Sequence, residues 1–172
     1  LTQYQKINGN IVFENTSLAE IIEEALKKVS SLAKHKNITI KNQIKDYTIE
    51  ADKQSLVETF VIFLDNAIKY SDKNTKVILT SKITGSSILV GVKDEGVGIA
   101  EEDIPYLFDR FYRADKSRTK IDVEGFGLGL SIAKQIIEKH NGTILVESEL
   151  GIGTTFSIQL PVKHSSRVIQ LT

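Results

Sequence analysis

Apolar residues recur along this chain at two spacings, one helical and one extended, and the two alternate in blocks. Ser17 is placed to cap a helix, with Glu20 three residues on to complete a capping box. Behind it Leu18, Ile21, Ile22, Ala25, Leu26, Val29 and Leu32 fall three and four apart, one stripe of a helix. That helix is expected to end near Lys34-His35-Lys36-Asn37, where cations suit the negative end of its dipole. Ile38 to Ile44 alternates apolar with polar and predicts a strand with one buried face, and Thr48-Ile49-Glu50-Ala51 a short partner strand. Asp52 then caps the helix around which the chain is organised.

In that central helix Leu56, Val57, Phe60, Val61, Phe63, Leu64, Ala67 and Ile68 share one broad arc at about 100° per residue. Glu58, Asp65, Asn66 and Lys69 fall on the opposite arc, and Ile62 lies in the middle of this polar face. A hairpin follows: Val77 to Ile83, a turn over Thr84-Gly85-Ser86-Ser87, then Ile88 to Asp94. Glu101-Glu102-Asp103-Ile104-Pro105 opens a short helical piece with acids in its first turn, anchored by Leu107, Phe108 and Phe111. Residues 112–124 are polar and aperiodic, in the position of a lid between two glycine clusters. Leu128, Ile132, Ala133, Ile136 and Ile137 make the stripe of a last helix that stops at His140-Asn141-Gly142. Thr143 to Ser148 and Thr154 to Leu160 are strands about a Leu150–Gly153 turn, the second ended by Pro161. This order predicts an α/β (α+β) two-layer sandwich, helices on one face of a mixed, mostly antiparallel sheet.

Composition narrows the function. With 172 residues the chain forms one domain, large enough to bury roughly 70% of its unfolded surface. Lys+Arg and Asp+Glu balance at 22 each, so no bulk charge draws it to nucleic acid or an anionic membrane. The absence of Cys excludes disulfides, thiolate metal sites and cysteine chemistry, and fits a reducing, cytoplasmic compartment. No apolar run is long enough to span a membrane and no signal-peptide pattern opens the chain, so no direct membrane contact is expected of this domain. With no Met at residue 1 the chain reads as a piece of a longer protein: residues 1–14 as the end of an upstream helical domain and linker, 15–163 as the working domain, 164–172 as a tail.

The chemistry collects at two glycine clusters, Asp94-Glu95-Gly96-Val97-Gly98 and Gly125-Phe126-Gly127-Leu128-Gly129. Glycines at that density let backbone N–H groups approach a phosphate. The second cluster also supplies a helix N-terminus, itself an anion site. Asp94, at a strand end beside a glycine turn, is placed to hydrogen-bond a ligand rather than a core. Facing these, a helix with a carboxylate, an amide and an amine offers what a Mg-nucleotide needs. His35, His140 and His164 are too scattered to suggest a metal site.

Together these segments resemble the catalytic and ATP-binding domain of sensor histidine kinases, in the GHKL superfamily with its Bergerat fold, over about residues 15–162. Leu64 to Ser71 is similar to the N box, Asp94 to Ile99 to the G1 box, Leu107 to Arg113 to the F box, Gly125 to Leu130 to the G2 box, and Gly151 to Phe156 to the final Gly-Thr segment. The resemblance implies ATP and Mg²⁺ as ligands, with Asn66 holding the metal through its amide oxygen. It implies that Asp94 accepts from the adenine amino group, that Lys69 and Arg113 contact phosphates, and that Tyr70, Gly96 and Gly98 line the pocket. Phe108, Gly125, Gly127, Leu128, Gly129 and Thr154 complete the implied nucleotide contacts, and Glu58 is implied as the base that polarises an acceptor histidine. That histidine belongs to a dimerisation domain, with a response regulator downstream; His35, His140 and His164, followed by Lys36, Asn141 and Ser165, lack the acid that follows the family's acceptor.

Two positions depart from the pattern: Ile62 stands where the family usually has Asn, and Phe126 where Thr is common. Ile62 cannot bind metal or phosphate. It leaves open a nucleotide-binding regulatory module with weak or no phosphotransfer, beside a third reading as another GHKL-type ATPase or protein kinase.

Overall fold

The computed structural model describes residues 10–113 and 127–163. Its elements are β1 (Glu14–Ser17), α1 (Leu18–His35), β2 (Thr39–Gln43), β3 (Thr48–Ala51), α2 (Lys53–Tyr70), β4 (Lys76–Thr84), β5 (Ser87–Asp94), a 3₁₀ turn (Ile104–Tyr106), α3 (Gly129–Lys139), β6 (Thr143–Glu149) and β7 (Gly153–Pro161). Five strands form one sheet in the order β2-β4-β5-β7-β6. Only the β2–β4 pair is parallel. The three α-helices among the described residues lie on one face, as the order of elements predicts.

The caps fall where the side chains put them. Ser17 Oγ accepts from the N–H of Glu20 at 3.2 Å, but the Glu20 carboxylate turns away to Lys53 at 3.2 Å, so only half of the expected capping box forms. Asp52 Oδ1 accepts from the N–H of Ser55 at 2.9 Å. The hairpin turns on Gly85, at φ +60°, with Thr84 opposite Ser87. Asn141, at φ +56°, reverses the chain after α3.

One pairing differs from expectation. Thr48–Ala51 pairs with Glu14–Ser17 as a separate two-stranded sheet, not with Thr39–Gln43, which instead runs parallel to β4. A strand's own residues state which face is buried but not which edge is free to take it.

The core lies between the helices and the inward rows of the sheet. Phe60 and Phe63 of α2 are fully buried. Phe63 packs on Phe156 of β7 with ring centroids 5.1 Å apart. Each such buried side chain contributes about 1.5–3 kcal/mol. Along β5 the inward row is Ile88, Val90, Val92 and then Asp94, all buried. On the neighbouring β7 it is Thr154, Phe156, Ile158 and Leu160. The alternation that fills the core therefore delivers Asp94, at its end, to the helical side of the sheet.

The segment after β5 departs from a regular helix. It is a single 3₁₀ turn around Pro105, and Glu101, Glu102 and Asp103 precede it rather than occupying its first turn. Leu107 and Phe108 are half-buried, and Phe108 meets Phe156 edge-on at 6.4 Å. Phe111 is no anchor: it is 70% exposed, because its left-handed backbone, φ +64°, turns the side chain outward. Most of the expected lid, with Gly125 and Phe126, lies outside the described residues, as do residues 1–9 and the expected tail with His164.

Candidate nucleotide site

Asp94 is 6% exposed at the end of β5. Its Oδ1 accepts the N–H of Gly96 at 2.9 Å and of Thr154 at 3.1 Å. Burial raises the Asp94 carboxyl above its usual range, while these two N–H groups pull the other way. Both bonds converge on one oxygen, and Oδ2 has no protein partner among the described residues. A buried, oriented acceptor with a free lone-pair face suits a ligand N–H donor.

Thr154, placed by the family pattern among nucleotide contacts, sits behind Asp94. Its N–H holds Oδ1, and its hydroxyl lies 2.7 Å from Ser148 Oγ. Ser148 in turn accepts from the N–H of Ile99 at 2.8 Å, tying the glycine turn to β6. Ser148 belongs to no glycine or helix pattern, and nothing in the residue pattern signals this support.

The glycines of the first cluster are required by the fold itself. A Cβ on Gly96 would stand 2.6 Å from the carbonyl oxygen of Tyr70. At Gly98, φ +72°, it would stand 2.1 Å from that of Glu149. The turn is thus wedged between the end of α2 and the β6–β7 hairpin. Val97 N–H donates to Tyr70 O at 3.2 Å, Gly151 N–H donates to Val97 O at 2.8 Å, and Ser71 pairs with Gly96 as an isolated bridge.

On α2 the polar arc is half-buried, as its residues predict. Glu58 and Asn66 make no side-chain hydrogen bond or ion pair among the described residues. Lys69 is held by Asp65 at 2.7 Å, one turn back. Glu58 to Tyr70 spans roughly 18 Å of helix at 1.5 Å per residue. At its Tyr70 end this arc meets the first glycine cluster; at Ile62 it meets the second. The γ2 methyl of Ile62 lies 3.3 Å from the place a Cβ would take on Gly129, the first residue of α3. Leu128 takes the N-cap position of α3 and gives no side-chain cap hydrogen bond among the described residues. Gly127, at φ +68°, lets the chain pass Phe111 and Tyr112, and Phe111 N–H donates to its carbonyl at 3.0 Å.

Arg113 is half-buried at the edge of the described segment, and Tyr112 donates its hydroxyl to Asp103. Gly125 lies outside the described residues. Both ring nitrogens of buried His140 are engaged: its Nε2 accepts the N–H of Asp52 at 3.1 Å and its Nδ1 lies 2.8 Å from Ile136 O. It is a strut between α3 and the start of α2; among the described residues no group of three His, Cys, Asp or Glu could hold an ion.

The geometry thus gathers one buried acid, a glycine turn, an amide unengaged among the described residues and a helix N-terminus along one side of α2. Residues 51–164 match the model of the family described as "Histidine kinase-, DNA gyrase B-, and HSP90-like ATPase". The chain belongs to that family. Within it, this is a catalytic and ATP-binding domain of the sensor histidine kinase type. It is 36% identical over 161 residues to the signal transduction histidine-protein kinase ArlS of Staphylococcus aureus, covering 92% of this chain and 36% of ArlS. The chain therefore spans about a third of the length of that relative. Among solved structures it is similar to the mycobacterial sensor histidine kinase MprB, with a TM-score of 0.76 and 26% identity over 90% of this chain and 100% of that one. It is also similar to full-length ShkA in complex with AMPPNP, with a TM-score of 0.76 and 25% identity over 91% of this chain and 32% of ShkA. No helix among the described residues of the kinase domain is long and apolar enough to cross a membrane.

Proposed function

We propose that this domain binds Mg-ATP along α2 and transfers the γ-phosphoryl group to a histidine on a dimerisation domain of the same parent protein. Asp94 carries the reading: a buried carboxylate whose Oδ1 is held by two backbone N–H groups, leaving Oδ2 for the adenine amino group. Tyr70, Gly96 and Gly98 line the base end, with Phe108 and Thr154 supporting the walls. Lys69, Arg113, Gly125 and the N-terminal end of α3 (Gly127, Leu128 and Gly129) receive the phosphates.

The residues present fit Mg²⁺. Asn66 offers an unengaged amide oxygen, and this ion keeps several waters and binds through few protein groups together with substrate phosphates. Held there, the ion would supply positive charge to offset that of the phosphates. Lys69 must exchange its ion pair with Asp65 for the phosphate, a rearrangement open to a half-exposed pair.

In the transfer itself, the bond from the γ-phosphorus to the β–γ bridging oxygen breaks as the imidazole nitrogen forms its bond to phosphorus. ADP leaves with the electron pair of the broken bond. Glu58, half-buried and unpaired among the described residues on the same helix face, hydrogen-bonds the far N–H of the imidazole and raises its nucleophilicity. A response regulator takes the phosphoryl group downstream, and the domain works in the cytoplasm.

A second reading has a specific observation in its favour. Ile62 fills the polar arc with a methyl-bearing side chain packed on α3, which removes one possible metal or phosphate contact and suits a nucleotide-sensing module with slow transfer. Calorimetric titration with ATP and ADP, with and without Mg²⁺, separates the two. Kinase function requires Mg²⁺-enhanced ATP binding and phosphotransfer on adding the upstream histidine domain. Binding indifferent to Mg²⁺ supports the module, and no binding overturns both.

A further inference from the structure

We propose that Lys36 is a positioning residue for the nucleotide site, its ammonium fastening the last turn of α2 to the end of α1 and so holding that turn beside the glycine turn that carries Asp94. The proposal rests on the nucleotide-site reading above and adds a residue that touches no part of the nucleotide.

A helix leaves its last carbonyls without intrahelical partners, and each needs a donor from elsewhere. In α2 the accounts close. Ala67 O accepts Ser71 Oγ–H at 2.6 Å. Tyr70 O accepts the N–H of Val97 at 3.2 Å. Lys36 Nζ donates to Ile68 O at 2.9 Å, to Lys69 O at 2.9 Å and to Ser71 O. Three protons meet three carbonyls, which is the whole donor capacity of an ammonium. A cation at this end also answers the helix dipole.

Lys36 reaches α2 from a fixed base. It is the residue after α1, with its N–H on Leu32 O at 3.3 Å and its carbonyl accepting the N–H of Asn74 at 3.3 Å. Asn37 Nδ2 donates to Asn74 Oδ1 beside it. Main chain and side chain together tie the end of α1 to residues 68–74. Burial pushes the Lys36 ammonium below its ordinary value, Asp72 opposes this and Lys73 adds to it.

The consequence reaches the site through the backbone. Lys69 and Tyr70 belong to the turn that Lys36 holds, and Asn66 is the next turn back. Ser71 bridges to Gly96, whose N–H holds Asp94 Oδ1. Removing the ammonium frees the joint between the phosphate-facing helix and the adenine-facing acid, and sites of this kind lose affinity when their supporting groups loosen.

The test compares the full chain with Lys36→Met, which keeps the apolar stem, and Lys36→Arg, which keeps a charged donor. Without nucleotide, Lys36→Met is expected to speed hydrogen exchange at the amides of Ser71, Gly96 and Val97 by roughly tenfold, leaving β6 and β7 unchanged. Its ADP affinity is expected to fall roughly tenfold, with Lys36→Arg recovering most of both. Unchanged exchange at those three amides overturns the proposal, as does parental ADP affinity once exchange has risen. If the parent itself binds no ADP, the nucleotide reading falls and the exchange comparison alone decides the clamp. If Lys36→Met fails to fold, Lys36→Gln carries the same comparison, and a rise spread evenly over the molecule overturns the local role.

Discussion

The γ2 methyl of Ile62 stands over Gly129, 3.3 Å from the place a Cβ would take on the first residue of α3. Gly129 thus leaves room for this methyl where α2 passes the N-terminus of α3, the end that the proposed function assigns to the phosphates. Gly129→Ala is expected to crowd this joint and weaken ADP binding several-fold, and Ile62→Ala in the same chain to restore it. Calorimetry on the two single variants and the double variant gives the coupling, which at contact distance is of order 0.5–3 kcal/mol; simple additivity would refute the link.

Replacing Ile62 by Asn puts an amide oxygen one helical turn before Asn66. It also strips apolar contact from a half-buried position, at a cost of about 1 kcal/mol. We expect Ile62→Asn to unfold at a lower temperature and to show a larger Mg²⁺ enhancement of ADP binding than the parent. An identical Mg²⁺ response would mean that position 62 does not face the metal.

Asp94→Asn keeps the shape and an oxygen for the N–H groups of Gly96 and Thr154 while removing a buried charge. The folded carboxyl is raised above its unfolded value, so its contribution to stability is full below the unfolded value, near pH 4, and is lost as pH rises through the folded one. At neutral pH the charge is therefore a burden. The variant is expected to gain stability, roughly 1 kcal/mol, and to lose ATP binding. A thermal melt and a titration on the same sample check both, and a variant binding ATP like the parent would remove Asp94 from the site.

Asp52 behaves oppositely. Burial works to raise it, but hydrogen bonds from Ser55 and Val12, with His140 nearby, carry it below the ordinary carboxylate value. A depressed folded value means its contribution is present above the unfolded value and lost as pH falls through the folded one. Acid unfolding should thus weaken the start of α2, with Asp52→Ala costing about 1 kcal/mol at pH 7 as a lost N-cap. The gap between the two proteins should close below about pH 4 in denaturant titrations.

Under the proposed function, Glu58 serves the chemistry and Asn66 the binding. Glu58→Gln should leave ADP affinity intact and cut phosphotransfer to the added histidine domain by roughly 10²–10⁴-fold. Asn66→Asp should abolish Mg²⁺-dependent ATP binding or transfer without changing the fold. Circular dichroism with a transfer assay reads both, and parental activity in either would reassign that residue.

Much of this was legible in the chain itself. The stripe from Leu18 to Leu32, the two arcs of α2 and the hairpin about Gly85 follow from periodicity and turn chemistry, and each forms as read. Asp94 was legible as an acid at a strand end, and its burial follows from the period-two row Ile88, Val90, Val92. The isoleucine in the polar arc was visible as an anomaly, but what it touches was not.

Local sequence determined which residues are helical, which face of each element is apolar, and which five boxes carry the family's pattern, because these depend on neighbours within a turn or a strand. Tertiary structure alone decided that β3 pairs with β1, that Phe111 points to solvent, that Gly98 is required by Glu149 and Gly96 by Tyr70, and that Lys36 closes the end of α2. Each of these joins residues distant in sequence, or, for Phe111, depends on a left-handed backbone that no side-chain pattern records.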